Sequence, residues 1–172
     1  MKNDLASDGI FHSARVRGMF HYTHVRDGEI IGKHSFHNDI TNEGVNALLN
    51  IMFDAGTQKT AWYLSPIDNA GYTALAAGDT HASHTGWAEN DDYDEATRPE
   101  WTAGAAAARA MTNAAPVVFT FNASVSIRGI AASALNTKGS LAANILWATA
   151  LFSTALPVIP GDILRFTYTV SG

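Results

Sequence analysis

Six of the seven histidines form three pairs with one spacing, the first pattern in the sequence that could carry chemistry. Imidazole nitrogens are common metal ligands. Residues three apart on a strand face opposite sides, so a pair in a regular strand cannot close on one ion. His81 and His84 instead lie in a predicted loop, where both rings can converge on a metal or remain surface or hydrogen-bonded histidines. The three pairs are His21-x-x-His24, His34-x-x-His37 and His81-x-x-His84.

A run of carboxylates at residues 89–95 is the second candidate, because carboxylate oxygens are preferred ligands of Ca²⁺. The run lacks the spacing and the central glycine of an EF-hand loop. A solvated loop, or one whose charge is balanced by Arg98, is the favoured interpretation. The sequence therefore predicts no cofactor and no metal. The residues kept as metal-ligand candidates are His81, His84, Asp91, Asp92 and Asp94.

No recognised catalytic motif accompanies these residues. The sequence has no G-x-S-x-G elbow, no P-loop, no Rossmann fingerprint, no H-E-x-x-H and no cysteine. Trp87 and Trp101 could stack on a sugar beside the acidic run, but a glycosidase needs two carboxyl groups at a defined separation. Anchoring a long loop is the favoured role for both tryptophans. We expect a protein that is not an enzyme, with a carbohydrate-binding module as a remote alternative.

Composition narrows the class further. A length of 172 residues suffices for one domain with a real core, or for a domain with a small extension. The formal net charge of -5 argues against a general nucleic-acid-binding protein, which needs a clustered basic surface. No apolar run is long enough to span a bilayer, and the first residues lack the apolar region of a secretion signal. These features predict a soluble protein made in a cytoplasm.

The clearest element is a strand predicted over residues 117–128, where apolar and polar side chains alternate with period 2. Gly129 is expected to end it. A helix is predicted over residues 42–54, because Val45, Leu48, Leu49, Met52 and Phe53 form one apolar stripe. Thr41 or Asn42 can cap its start, and Gly56 can lie just past its end.

The other segments indicate a mainly β protein. Further strands are predicted at residues 16–25, 29–37, 60–67, 105–112, 145–152 and 163–170, with a hairpin turn at Asp27-Gly28. The fold class predicted is an antiparallel β-sandwich, Ig-like or jelly-roll, with one short amphipathic helix and a long ordered loop at residues 68–102. We predict two parts, an N-terminal arm and β-hairpin at residues 1–37 and the sandwich domain at residues 38–172.

A set of motifs between residue 36 and the C-terminus carries a resemblance. It begins with Asn38-x-Ile40-Thr41-Asn42-Glu43-Gly44-x-Asn46-x-Leu48-Leu49 and continues through Trp62-Tyr63-Leu64, Ile67-Asp68, Gly71-Tyr72, Ala77-Gly78-Asp79-Thr80, Ser83-His84-x-Gly86-Trp87, Tyr93-x-Glu95-Ala96-Thr97-Arg98-Pro99-x-Trp101, Asn136-Thr137-Lys138-Gly139 and Leu146-Trp147-Ala148. In this order the motifs resemble small virion proteins of tailed bacteriophages, described as capsid decoration (cement), head-fibre or tail-fibre proteins. Ser65-Pro66 departs from the pattern, where a Gly-Leu type pair is expected.

The resemblance implies a structural virion protein without catalytic residues, made in the bacterial host cytoplasm. The partners it implies are the major capsid protein and copies of the same chain, as a dimer or trimer, with no specific nucleic acid and no membrane. From length, low charge and aromatic content we expect residues 1–37 and the long loop to contact other subunits, in part by strand addition. The candidate contact residues are Phe11, Phe20, Tyr22, Tyr72, Trp87, Tyr93 and Trp101.

Overall fold

The computed structural model describes residues 15–172, so the predicted arm with Phe11 lies outside the described residues. The described chain forms nine strands and one helix. In chain order these are β1 Arg17–Arg26, β2 Glu29–His37, β3 Asp39–Ile40, α1 Asn42–Phe53, β4 Tyr63–Asp68, β5 Ala110–Thr112, β6 Val117–Thr120, β7 Val125–Ser133, β8 Leu146–Val158 and β9 Ile163–Ser171. Within residues 15–172, α1 is too short to cross a bilayer.

Two antiparallel sheets enclose one main core. Sheet A has the order β2-β1-β9-β5, and β6 also pairs with β9. Sheet B has the order β3-β8-β7-β4. Phe20 and Phe166 from sheet A pack in the same buried cluster as Leu64 and Ile130 from sheet B. The prediction of a mainly β, antiparallel sandwich with one short helix is confirmed.

The strand predicted over residues 117–128 is two strands in different sheets. β6 pairs with β9 in sheet A, and β7 pairs with β4 and β8 in sheet B. Phe121, at the crossing, is buried and exchanges backbone hydrogen bonds with Gly161 and Asp162. The alternation survives because both strands face the same core. Gly129 does not end β7 but lies inside it, where a Cβ would overlap the Ala150 carbonyl.

The predicted boundary at residue 37 is also wrong for the described residues. β1 pairs with β9 over its length, from Arg17 opposite Ser171 to Val25 opposite Ile163. Residues 17–37 are therefore part of the sandwich. β2 is an edge strand and exposes most of its residues, so its apolar and polar residues alternate only weakly. For this reason the sequence did not indicate that β2 belongs to the sandwich.

Helix α1 confirms the predicted helix almost to the residue. The Thr41 hydroxyl accepts a hydrogen bond from the Gly44 N–H at 3.0 Å, and the Gly56 N–H closes the C-terminal turn on the Asn50 carbonyl. Other bounds differ more. The strand predicted at residues 105–112 is reduced to β5, and β8 continues past the predicted end at residue 152, through Pro157.

Candidate functional site

The long connection between β4 and β5 is held by a buried ion pair. Arg98 donates from Nε to Oε1 of Glu89 at 3.0 Å and from Nη2 to Oε2 at 2.6 Å. The two side chains are 5% and 6% exposed. Arg98 also donates to the carbonyl oxygens of Leu135 and Ser140. The predicted balancing of the acidic run by Arg98 is confirmed, with Glu89 as the partner.

His81 belongs to the same cluster and uses both ring nitrogens. Its Nδ1 lies 2.7 Å from the Ala142 carbonyl, and its Nε2 lies 2.7 Å from Nη1 of Arg98. A carbonyl only accepts and a guanidinium only donates, so the ring is neutral with its proton on Nδ1. Burial, with the nearby Arg98 charge, lowers the pKa of His81 below its ordinary value. This histidine is a structural anchor whose two nitrogens already have partners.

The other metal-ligand candidates do not meet in one site. The Nδ1 of His84 lies 3.0 Å from the Trp87 carbonyl, and its ring stacks on the Trp87 indole. Asp92 accepts from Asn90, and Asp94 accepts from Asn122. Across residues 15–172, no three His, Asp or Glu side chains, Asp91 included, are grouped as metal ligands would be.

Most of the predicted contact aromatics lie in the interior, which corrects their assignment as subunit contacts. Trp101 donates its indole N–H to Asn113 and to the Tyr168 carbonyl, and Trp87 donates to Asp79. Tyr72 is half-buried, with the Arg128 guanidinium 5.2 Å from its ring centroid. Trp87 and Trp101 are 6% and 7% exposed and their indole N–H groups have buried partners, which agrees with the favoured role of anchoring the long loop. The buried candidates are Phe20, Tyr22, Trp87, Tyr93 and Trp101.

A second buried carboxylate anchors the turn before β9. Asp162 accepts from Arg26 at 2.7 and 2.6 Å, and one of its oxygens lies 2.8 Å from His24 Nε2. Burial alone would raise the pKa of Asp162, but these hydrogen bonds and one from the Ile159 N–H hold the pKa at about 2. The cluster joins β1 to the turn before β9, and both carboxylate oxygens of Asp162 already accept hydrogen bonds, so its role is structural.

One surface feature was not predicted from the sequence. The apolar stripe of α1 largely faces outward: Val45, Leu49, Met52 and Phe53 are 41%, 47%, 64% and 80% exposed. Gly44 is the one buried residue of the helix, because it packs directly on the Trp147 backbone. The helix therefore meets the sandwich edge-on through a glycine rather than through its apolar stripe.

A groove lies between α1 and the open end of the sandwich, and we call it the α1 groove. Its volume is about 380 Å³, at the small end of the range for ligand sites. Both sheets contribute to the wall through Trp147 of sheet B and Val170 of sheet A. Lys59 is among the few polar residues at its rim. Apolar lining residues from α1 and the sandwich include Leu48, Ile51, Met52, Trp62, Trp147 and Val170.

The outer edge of β2 is a further available surface. β2 pairs with β1 on one side, and no other described strand pairs with it. Ile30 and Ile31 are 53% and 51% exposed. An unpaired strand edge presents free N–H and C=O groups that can bind a strand of another chain. Lys33 is the one basic residue in β2 that would discourage such pairing.

Comparison with known protein families finds no family model that matches the chain, and comparison with curated proteins finds no match.

Proposed function

We propose that this chain is a structural virion protein of a tailed bacteriophage, most specifically a capsid decoration protein that binds and stabilises the shell. The observation that carries the proposal is that the motifs behind the resemblance supply residues that hold separate segments of the chain together. A tail-fibre, head-fibre or adaptor component is the alternative from the same class.

Glu43 illustrates this role. Its Oε2 accepts from the Leu146 N–H at 2.6 Å and from the His81 N–H at 2.9 Å, so one carboxylate joins α1, β8 and the long loop. Two further motif residues, Arg98 and Gly139, meet at Glu89, which accepts from the Gly139 N–H at 2.8 Å in addition to Arg98. Such buried networks make a chain rigid, and rigidity suits a protein that is repeated in many copies on a lattice.

The contact surface that fits this role is the outer edge of β2. Strand addition supplies affinity through main-chain hydrogen bonds and needs no special side-chain chemistry. The exposed Ile30 and Ile31 add apolar area on both faces of that edge. We propose that β2 pairs with a strand of a neighbouring virion subunit, either the major capsid protein or a second copy of this chain.

Electron cryo-microscopy of purified particles, with mass spectrometry to count copies of the chain, tests the role. Many copies of the chain, ordered over the icosahedral lattice, are the expected result. A few copies confined to a tail or portal vertex would replace decoration by the fibre or adaptor role. Absence from the particle would overturn both.

A binding assay with particles that lack the chain tests the β2 edge. Ile31→Lys places a charge on the edge without removing a buried group, and we expect at least about a tenfold loss of affinity. Leu141→Lys is the matched control, because Leu141 is 55% exposed but lies in the turn between β7 and β8. Equal binding of both variants would exclude the β2 edge as the contact.

A further inference from the structure

The α1 groove is an apolar site that no described residue fills. Met52 is 64% exposed at its rim, and three tryptophans, Trp62, Trp101 and Trp147, line it. Exposed apolar patches of this kind on a single chain commonly mark a binding surface.

The size of the groove favours a short segment over a second folded copy. Of the four outward apolar side chains of α1, only Met52 lines the groove, and its volume of about 380 Å³ accommodates a few side chains. A stable interface between two folded proteins buries about 800 Å² on each partner. Insertion of a few side chains from a short segment requires far less area.

The path of the chain brings such a segment to the groove. The residues before β1 enter sheet A where Arg17 pairs with Ser171 and Gly18 pairs with Val170. Val170 lines the α1 groove. Val16, two residues before Gly18 and hence of the same strand parity, is already half-buried. The described chain therefore begins beside a wall of the groove, and the fourteen residues that precede it in the sequence are attached at that point.

The composition of these fourteen residues matches the groove. Beyond Met1, their large apolar side chains are Leu5, Ile10 and Phe11. Phe11 is five residues before Val16, a reach of roughly 17 Å when extended. The twelve residues of α1 span roughly 18 Å. The charged residues of the segment are Lys2, Asp4 and Asp8, and Asp8, the one nearest to Ile10, carries the charge opposite to that of Lys59 at the rim.

We infer that the α1 groove binds the N-terminal segment of its own chain, with Ile10 and Phe11 inserted against Met52 and the tryptophans. Attachment to β1 gives the segment a high effective concentration at the groove, so few contacts suffice. This inference concerns the isolated protein and is independent of the proposed virion role.

Hydrogen exchange of the full chain, read together with tryptophan emission, tests the inference. Ile10→Ser/Phe11→Ser is expected to raise the exchange rate of the C-terminal amides of α1 at least about tenfold and to shift emission to the red, because the groove fills with water. His12→Ser changes a neighbouring polar side chain and should leave both readings unchanged. Readings equal to those of the unaltered protein in the double variant would overturn the inference.

Cross-linking locates the segment directly, since the chain has no cysteine of its own. In dilute solution Phe11→Cys/Met52→Cys should form an intramolecular disulfide, which requires Cα atoms within about 7 Å. Phe11→Cys/Leu141→Cys is the matched control and should not. A disulfide between two chains would overturn binding within one chain in favour of exchange between copies. No disulfide beyond the control rate would exclude the contact.

Discussion

Helix α1 and the long connection at residues 69–109 invert the usual relation between pattern and burial. The helix has the clearest amphipathic stripe in the sequence, yet that stripe is largely exposed. The connection is rich in Gly, Asp, Thr and Ala, yet it buries Trp87, Tyr93 and Trp101 together with the Arg98–Glu89 pair. An apolar stripe shows that a helix is able to bury one face, and a polar composition shows that a loop needs hydrogen-bond partners. Neither pattern shows which residues are exposed to solvent in the folded protein.

The largest effect is expected from removing the ion pair of the connection. Arg98→Ala leaves the buried Glu89 carboxylate without its partner and should cost about 3–5 kcal/mol of the free energy of unfolding. Urea denaturation measures this. Arg165→Ala, at an exposed position of β9, should change it by less than about 0.5 kcal/mol. A small effect of Arg98→Ala would mean that the connection is held by its aromatic residues alone.

A smaller effect is expected from the glycine that seats the helix. Gly44→Ala should stabilise an isolated helix by about 1 kcal/mol through propensity. In this protein the added Cβ overlaps the Trp147 carbonyl, so we expect a net loss of about 1–3 kcal/mol. Asn46→Ala, on the exposed side of α1, should be neutral or stabilising. If Gly44→Ala is the more stable, then α1 is not seated on β8 through this glycine.

A pH effect should follow from His81. The folded protein keeps its ring neutral, whereas the unfolded chain takes up a proton near the ordinary pKa of 6.5. This contribution to stability is therefore present above pH 6.5 and is lost as the pH falls below 6.5, with a slope of at most about 1.4 kcal/mol per unit. His81→Gln should flatten the slope, and His37→Gln, at an exposed position, should retain it. The stabilisation from Asp162 is present above its ordinary pKa of 3.8 and is lost only as the pH falls from there towards its folded-state pKa of about 2, so it does not affect the slope near pH 6.

The smallest effect is expected at the exposed end of the helix. Phe53 is 80% exposed and does not line the α1 groove. Phe53→Gln should therefore change the free energy of unfolding by less than about 0.5 kcal/mol, and it should raise solubility. A thermal unfolding scan with a solubility assay measures both. A loss above about 1.5 kcal/mol would show that Phe53 is covered in solution.

Local signals predicted those parts of the fold that depend on neighbours in sequence. Thr41 and Gly56 placed the ends of α1 because capping requires only a few adjacent residues. The alternation of residues 117–128 correctly predicted extended chain facing a core. It could not show the transfer from sheet A to sheet B, because either sheet satisfies the same period.

The candidate site depended on distant partners and was predicted less well. Arg98 was expected to balance the acidic run, and it does, but its contact with His81 joins residues that carry no shared motif. The α1 groove had no signal at all. The groove exists because Gly44 packs closely on the Trp147 backbone. The sequence around Gly44 does not indicate which distant residue it will contact.

The pairing of β1 with β9 at the centre of sheet A has a consequence for how the protein is made. These strands come from opposite ends of the described chain, so sheet A cannot assemble until β9 has left the ribosome. Until then β1 and β2 stand as a bare hairpin, which is marginal in water. Pairing of β1 with β9 closes a loop of most of the described chain, which is slow. Until it closes, the unpaired edge of β1 can pair with strands of other chains. Sheet A should therefore form in a single late step, once β9 has been made, rather than by gradual assembly.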